Sequence, residues 1–201
     1  MSHIEVKGEN SSRGPGRPRD EGARRRILKA ALDLMDETAF AQVSIEGIAE
    51  RASVSKATVY RWWPNKAAVV IEAFRDAFGP ELPLHDVGSL REDLAQQLKN
   101  FARILSGRGG RMLRSFIVAA RSDPEVAAVF QSIWRSPRRA EGKQMLRRKQ
   151  LSGQLRKDAN LDLVLDSLYG PLYYRFLVEN EPPTQKYAES VADLVIQGLA
   201  E

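Results

Sequence analysis

Cysteine is absent from this chain of 201 residues, and histidine occurs only twice, as His3 and His85. The absence of cysteine excludes a disulfide framework, a thiolate nucleophile and a cysteine-ligated zinc site. A histidine-dependent triad or metal centre would have to use one of these two residues, and His3 belongs to the N-terminal tail. Neither a glycine-rich phosphate loop nor a cluster of metal ligands is found, so we expect no enzyme activity, no metal site and no cofactor.

Long apolar runs and strand patterns are also missing. No segment approaches the ~20 apolar residues of a membrane span, and residues 1–18 lack the apolar core of a signal peptide. We therefore expect a cytoplasmic protein that has no membrane partner. Alternating β-branched residues, which indicate strands, do not occur, and the sequence predicts an all-α fold.

Positive charge exceeds negative charge only mildly. The chain has 31 Lys and Arg against 26 Asp and Glu, a net charge of +5, which permits nucleic-acid binding without establishing it. Residues 1–19 are typical of a flexible basic arm. Residues 135–157 carry nine cations and Glu141 as the one acid. We interpret this segment as a solvated helix face, because no aromatic residues alternate with the charges to stack on bases.

Helix starts are clearly marked near the N-terminus. Apolar residues at helical spacing predict a first helix over 20–38. The positive charge of Arg24, Arg25 and Arg26 in its first two turns hints at an external anion. Ser44 and Ser55 are N-caps eleven positions apart, each with a hydrophobic staple, and Asn65 caps a further helix. This spacing predicts two short helices and a turn over 53–55, which is the arrangement of a helix-turn-helix.

The composition shifts past Gly79, Pro80 and Pro83, and further helical stripes follow. The segments at about 161–179 and 185–200 are apolar beyond a single stripe. Such helices are central in a core or paired across an interface. Pro171 is expected to kink the first of them.

The run SIEGIAERASVSKATVYRWWPNKAAVV, from Ser44 to Val70, strongly resembles the DNA-binding domain of TetR-type transcriptional regulators. The later GPLYYRFL, residues 170–177, is similar to the regulatory domain of one large branch of that family. The resemblance implies an N-terminal three-helix helix-turn-helix DNA-binding domain over 20–66. It also implies a C-terminal helical ligand-binding and dimerisation domain over 67–201. Members are usually homodimers, paired through the last two helices, and most leave a palindromic operator when a small-molecule effector binds.

The resemblance also assigns roles to individual residues. The second short helix corresponds to a recognition helix in the major groove, where Arg61 would pair with guanine. Arg17 and Arg19 are candidates for a narrow minor groove, whereas Trp63 is expected to fill the core. The expected contacts with double-stranded DNA are Arg17, Arg19, Ser44, Lys56, Ala57, Thr58, Tyr60, Arg61, Trp62 and Lys66.

A mostly apolar ligand pocket is expected in the C-terminal domain. Its tyrosines are the better candidates, since a buried hydroxyl needs a partner, and no charged residue can be assigned to it. The candidates are Phe101, Leu105, Met112, Phe116, Phe130, Trp134, Tyr169 and Tyr173.

Two alternatives stay open. One is an architectural protein that binds A·T-rich DNA with little sequence preference through the arm and residues 135–157. The other is a helical sensor without DNA binding. Ala39 and Ser53 occupy turn positions that often hold glycine in the family, and a positive φ there would cost roughly 1 kcal/mol.

Overall fold

The computed structural model describes residues 20–84, 86 and 88–198, and within those ranges every regular element is helical. The helices are α1 (Glu21–Glu37), α2 (Ile45–Arg51), α3 (Lys56–Tyr60), α4 (Lys66–Phe78), α5 (Leu90–Leu105), α6 (Arg108–Ser122), α7 (Pro124–Phe130), α8 (Ser136–Leu151), α9 (Leu161–Leu177) and α10 (Gln185–Gln197). Short 3₁₀ turns lie at Phe40–Gln42 and Gly79–Glu81, and a π turn at Gln131–Arg135 joins α7 to α8. The all-α prediction is confirmed.

Some of the expected features lie outside the described residues. They are the basic arm with Arg17 and Arg19, His85, and the last residues of the segment 185–200. Among the helices that the structure does describe, none is long and apolar enough to cross a bilayer.

The first helices begin at the caps that the sequence predicts. Ser44 Oγ accepts a hydrogen bond from the Gly47 amide at 3.1 Å, and Ser55 Oγ accepts one from the Thr58 amide at 3.2 Å. Asn65 Oδ1 accepts from the amide of Ala68 at 2.8 Å. Each cap satisfies one amide that the helix itself leaves without a partner.

Helices α1, α2 and α3 form the three-helix head. Ile48 of α2 and Val59 of α3 are fully buried, and Ala49 is small enough to let the two helices cross closely. Helix α1 packs against both α2 and α4. Helices this short are unstable alone, so the head depends on this packing.

Helix α4 belongs to the packing of both halves. It contacts α1 on one side and α7 on the other, and its buried residues join one continuous core. Phe74, at its centre, meets Phe116 of α6 at a ring-centroid distance of 5.4 Å. The division between residues 66 and 67 therefore stays a prediction, since α4 begins at that point and packs against both halves.

Two glycines set how closely α5 and α6 approach each other. A Cβ placed on Gly110 would lie 2.0 Å from the Leu105 carbonyl oxygen, and one on Gly109 would lie 2.7 Å from Ile104 Cγ2. The chain reverses between these helices within two residues, and only glycine leaves room for the backbone there.

The interpretation of residues 135–157 as a solvated face holds for five of its nine cations, which are exposed, and is wrong for Arg138, Arg139, Lys143 and Lys149, which are half-buried or buried. Arg139 and Lys143 pair with Asp162 of α9 at 2.8 and 2.7 Å. Lys149, 3% exposed, lies 2.7 Å from the equally buried Asp93 of α5. These charges attach α8 to its neighbours. Sequence periodicity misses them because the acids lie far away in the chain.

Candidate DNA interface and ligand cavity

Helix α3 presents one side to solvent and the other to the core. Lys56, Ala57, Tyr60 and Arg61 are exposed, whereas Val59 is buried. Thr58 is half-buried, and its hydroxyl lies 2.9 Å from that of the capping Ser55. The exposed side is free to enter a groove of DNA, while the contacts themselves stay predictions.

Lys56 has an ion-pair partner on the neighbouring helix. Its ammonium lies 3.0 Å from Glu46 Oε1, and both side chains are more than half exposed. A backbone hydrogen bond within Glu46 and then the contact with Lys56 hold the pKa of the Glu46 carboxyl below its ordinary value. Solvent weakens such exposed pairs, so Lys56 can exchange this carboxylate for a phosphate at little cost.

The side chain of Lys66 points away from the expected phosphate contact, which is a correction. Its Nζ donates to the carbonyls of Phe40, Ala41 and Val43 at 3.0–3.2 Å. An ammonium has three donors, and all three are used to hold the turn before α2. Burial lowers the pKa of Lys66. Only the backbone at the start of α4 remains suited to a phosphate.

Trp63 is buried, as the sequence predicts, and it joins α3 to α4. Its Nε1 donates to Glu72 Oε2 at 2.8 Å, and Arg24 of α1 pairs with the same carboxylate. Arg24 therefore has an internal anion, contrary to the expectation of an external one. Trp62 is half-buried beside Trp63, with ring centroids 6.0 Å apart.

A cavity of about 600 Å³ lies between α5, α6, the π turn and α9. Five of the eight predicted pocket residues line it: Phe101, Phe130, Trp134, Tyr169 and Tyr173. Leu105, Met112 and Phe116 do not, which is a correction. They are at most 2% exposed and belong to the solid core. Periodicity identifies a buried face but not which layer of it borders empty space.

The π turn shapes the wall of this cavity. The amide of Ser136 bonds to the carbonyl of Gln131, five residues earlier. Pro137 follows; its nitrogen has no hydrogen to donate, and its ring would collide with the carbonyl four residues back. The widened turn places Gln131, Trp134 and Arg135 at the cavity.

Polar groups of the cavity were missed by the sequence analysis. They are Gln97, Gln131, Arg121, Arg135, Arg138, Arg139 and Asp166. With its nitrogen toward the Pro83 carbonyl at 2.8 Å, the Gln97 amide accepts from both Arg138 and the Tyr169 hydroxyl at 3.2 Å. One sequence signal could have identified two of these arginines. Arg138 and Arg139 lie four positions after Trp134 and Arg135, one helical turn along the same face, and Trp134 was already a predicted pocket residue.

Family models match both halves of the chain. Residues 27–73 match the model for bacterial regulatory proteins of the tetR family, and residues 84–195 match a tetracyclin repressor-like C-terminal domain. The chain is 39% identical over 184 residues to the uncharacterized HTH-type transcriptional regulator YdeS of Bacillus subtilis, covering 92% of this chain and 91% of that protein. The chain belongs to the TetR family.

Solved structures agree with this assignment. The TetR family transcription regulator SCO0332 matches with a TM-score of 0.78 at 30% identity, over 89% of this chain and 99% of that one. FadR of Bacillus subtilis, solved with stearoyl-CoA, matches with a TM-score of 0.64 at 18% identity, over 88% and 99% of the two chains. The second match shows the fold alone.

As a TetR-family member, the protein is a helix-turn-helix transcriptional regulator that binds DNA. The architectural alternative has no support from these relatives. It also required free cations in residues 135–157, and six of the nine form ion pairs within the fold.

The last two helices of this TetR-family regulator expose apolar side chains. Leu163, Tyr174 and Val178 of the α9 region are 64%, 55% and 65% exposed, and Leu194 of α10 is 70% exposed. Helices α9 and α10 pack against each other, and several large exposed apolar side chains on such neighbouring helices are typical of an interaction surface.

Proposed function

We propose that this protein is a homodimeric repressor that binds a two-fold symmetric operator and leaves it when a small organic molecule fills the cavity. One observation carries the proposal: α4 contacts both functional regions. Glu72 of α4 holds Trp63 at the end of the recognition helix, and Phe74, two residues further on, packs against the cavity wall at Trp134.

The dimer is supported by the exposed side chains of α9 and α10. A two-fold dimer uses the same patch on both subunits, and these apolar residues offer such a patch. A dimer paired there would carry two recognition helices. An operator reader of this kind needs them about 34–36 Å apart, one turn of DNA.

Release follows from a shift between two conformations. An effector moves the equilibrium only by its different affinity for the two states. A molecule that widens the cavity displaces Trp134 and Phe74, and the displacement of α4 changes the distance between the heads. The complex of FadR with stearoyl-CoA supports an organic effector in this fold.

The test is selection from a random duplex pool at about 150 mM salt, where nonspecific phosphate contacts are weak. We expect a two-fold symmetric motif and a dimer on that motif by light scattering. Enrichment of A·T-rich sequence without symmetry would instead favour the architectural protein. No enrichment would mean that the helix-turn-helix does not bind DNA.

A further inference from the structure

The inner wall of the cavity is an aromatic cleft. Phe101 meets both Tyr169 and Tyr173 edge to face, with ring centroids 5.4 Å apart in each pair. Trp134 and Phe130 complete the apolar lining. Rings held in fixed orientations favour a flat apolar body, because edge-to-face contacts add to the area it buries.

The rim of the cavity is positive and in part unpaired. Arg139 is neutralised by Asp162 and Asp166, and Arg138 donates to the carbonyl of Leu82. Arg121 and Arg135 also line the cavity, and neither forms an ion pair with any residue that the structure describes.

Asp166, the one carboxylate of the lining, is therefore engaged by Arg139. The charge of Arg135 also acts inside the cavity. Burial and the neighbouring Tyr169 raise the pKa of Tyr173, while Arg135 opposes that shift. The Tyr173 hydroxyl forms no hydrogen bond within the described part of the chain, so it too is available to a ligand.

We propose that the cavity selects an amphipathic organic carboxylate, with a flat apolar body in the aromatic cleft and its carboxylate on Arg121 and Arg135. This deepens the proposed function, on which it rests, by naming the class of effector. A guanidinium binds a carboxylate through two parallel hydrogen bonds, and charge-assisted bonds are about twice as strong as neutral ones. Arg121 and Arg135 are both exposed at the cavity, so a neutral ligand leaves them solvated, a cationic ligand is repelled by them, and a carboxylate gains from their unpaired charge.

Calorimetric titration with isosteric probes tests the charge. The isosteric pair is 2-naphthoate and the neutral 2-naphthamide. Decanoate is added as an aliphatic carboxylate, and octanoyl-CoA as an acyl thioester. We expect 2-naphthoate to bind at least about tenfold more tightly than 2-naphthamide. Equal binding of the two, or no binding of either carboxylate up to about 1 mM, would overturn the proposal. Binding of octanoyl-CoA alone would replace carboxylates with acyl thioesters as the ligand class.

Variants locate the charged contact. The ratio of the affinities for naphthoate and naphthamide should fall in Arg135→Gln. It should fall further, toward one, in the double variant Arg121→Gln with Arg135→Gln. Arg147→Gln, which removes an exposed arginine of α8 outside the cavity, should keep it. A preference that survives the double variant would show that the carboxylate binds elsewhere.

Operator selection on the same preparations keeps the two proposals separate. If a symmetric operator is selected but the two naphthyl probes bind equally, the repressor proposal stands and the carboxylate proposal is wrong. If the protein prefers naphthoate but no operator is selected, the carboxylate site stands and the repressor proposal is wrong.

Discussion

Trp134 and Phe74 meet edge to face, with ring centroids 4.8 Å apart and planes at 71°. Trp134 lines the cavity, and Phe74 is a fully buried residue of α4. A packed interior transmits displacement, because it has few voids to absorb it. This aromatic contact is therefore a direct physical path between an occupied cavity and the helix that supports Trp63.

The first prediction concerns this contact. Trp134→Leu should leave operator affinity without ligand nearly unchanged and reduce the loss of affinity caused by ligand about fivefold, a coupling change of ~1 kcal/mol. Operator titrations with and without saturating ligand measure it, and thermal melts confirm folding. Phe130→Leu is the matched control, because Phe130 lines the same cavity and its ring contacts that of Phe116, whereas the ring of Trp134 contacts that of Phe74 directly. If ligand reduced operator affinity equally in both variants, the Trp134–Phe74 contact would not carry the coupling.

Arg61 carries the second prediction. It is exposed directly after α3, at the position where the family resemblance places a guanine contact. Arg61→Ala should weaken operator binding by about 1–3 kcal/mol and relax the preference at one base pair of each half-site. Arg147→Ala on α8 should change neither. Unchanged affinity and unchanged base preference in Arg61→Ala would remove the role assigned to this residue.

Ser53 carries the third prediction. Its φ is +53°, whereas Ala39, the other turn position that lacks the family's glycine, has an ordinary φ of −72°. Ser53→Gly should stabilise the protein by up to ~1 kcal/mol, because glycine adopts positive φ without a steric penalty. Urea unfolding measures the gain. Ser53→Ala keeps the Cβ and should give none, so an equal gain in both would exclude backbone strain as the cause.

What the sequence predicted well was local. The caps at Ser44, Ser55 and Asn65 depend on residues three positions apart, and each forms as expected. The core position of Trp63 followed from a family pattern that the chain shares. These features require no knowledge of distant parts of the chain.

What the sequence could not give was long-range pairing. Arg24 meets Glu72 and Lys149 meets Asp93, residues 48 and 56 positions apart. Lys66 has the charge that a phosphate contact needs, but its ammonium is surrounded by three carbonyls of the turn before α2, and no local pattern predicts that arrangement. The polar rim of the cavity could not be predicted for the same reason. Arg135, Arg138 and Arg139 are recognised as cavity residues only when the fold brings them beside Phe101 and Tyr173.

The fourth prediction compares two glycines. A Cβ at Gly110 would overlap the carbonyl of Leu105, whereas one at Gly170 of α9 has no atom within 4 Å apart from its chain neighbours and the backbone of its own helix. Gly110→Ala should destabilise the protein by at least ~2 kcal/mol, because backbone must move. Gly170→Ala should change stability by less than about 1 kcal/mol, because the gain in helix propensity is opposed by the contact of the new Cβ with the ring of Pro171, the next residue. Chemical denaturation of both variants measures the difference, and a mild effect at Gly110 would mean that α5 and α6 have freedom to separate.

The fifth prediction concerns the ion pairs of α8, which contribute to stability and to its pH dependence. Lys149 lies between Asp93 and Asp86, at 2.7 and 3.1 Å, and also donates to the Gly88 carbonyl at 2.9 Å. Burial lowers the pKa of Lys149, but hydrogen bonds with Asp93 and Asp86 outweigh burial and raise it overall. Lys149→Met should cost about 3–5 kcal/mol, because it leaves the buried carboxylate of Asp93 without a cation. Lys143→Met, at a more exposed pair with Asp162, should cost much less.

The same cluster gives a pH dependence with a definite sign. Hydrogen bonds from Arg148 and then Lys149 lower the pKa of Asp86 from its ordinary value of 3.8. A carboxyl whose pKa is lower in the folded state stabilises the fold above its unfolded pKa and loses that contribution as the pH falls through its folded pKa. The free energy of unfolding should therefore decline below about pH 3.8, and less steeply in Asp86→Asn than in the wild type. Parallel acid profiles for the two proteins would show that Asp86 does not contribute through its charge.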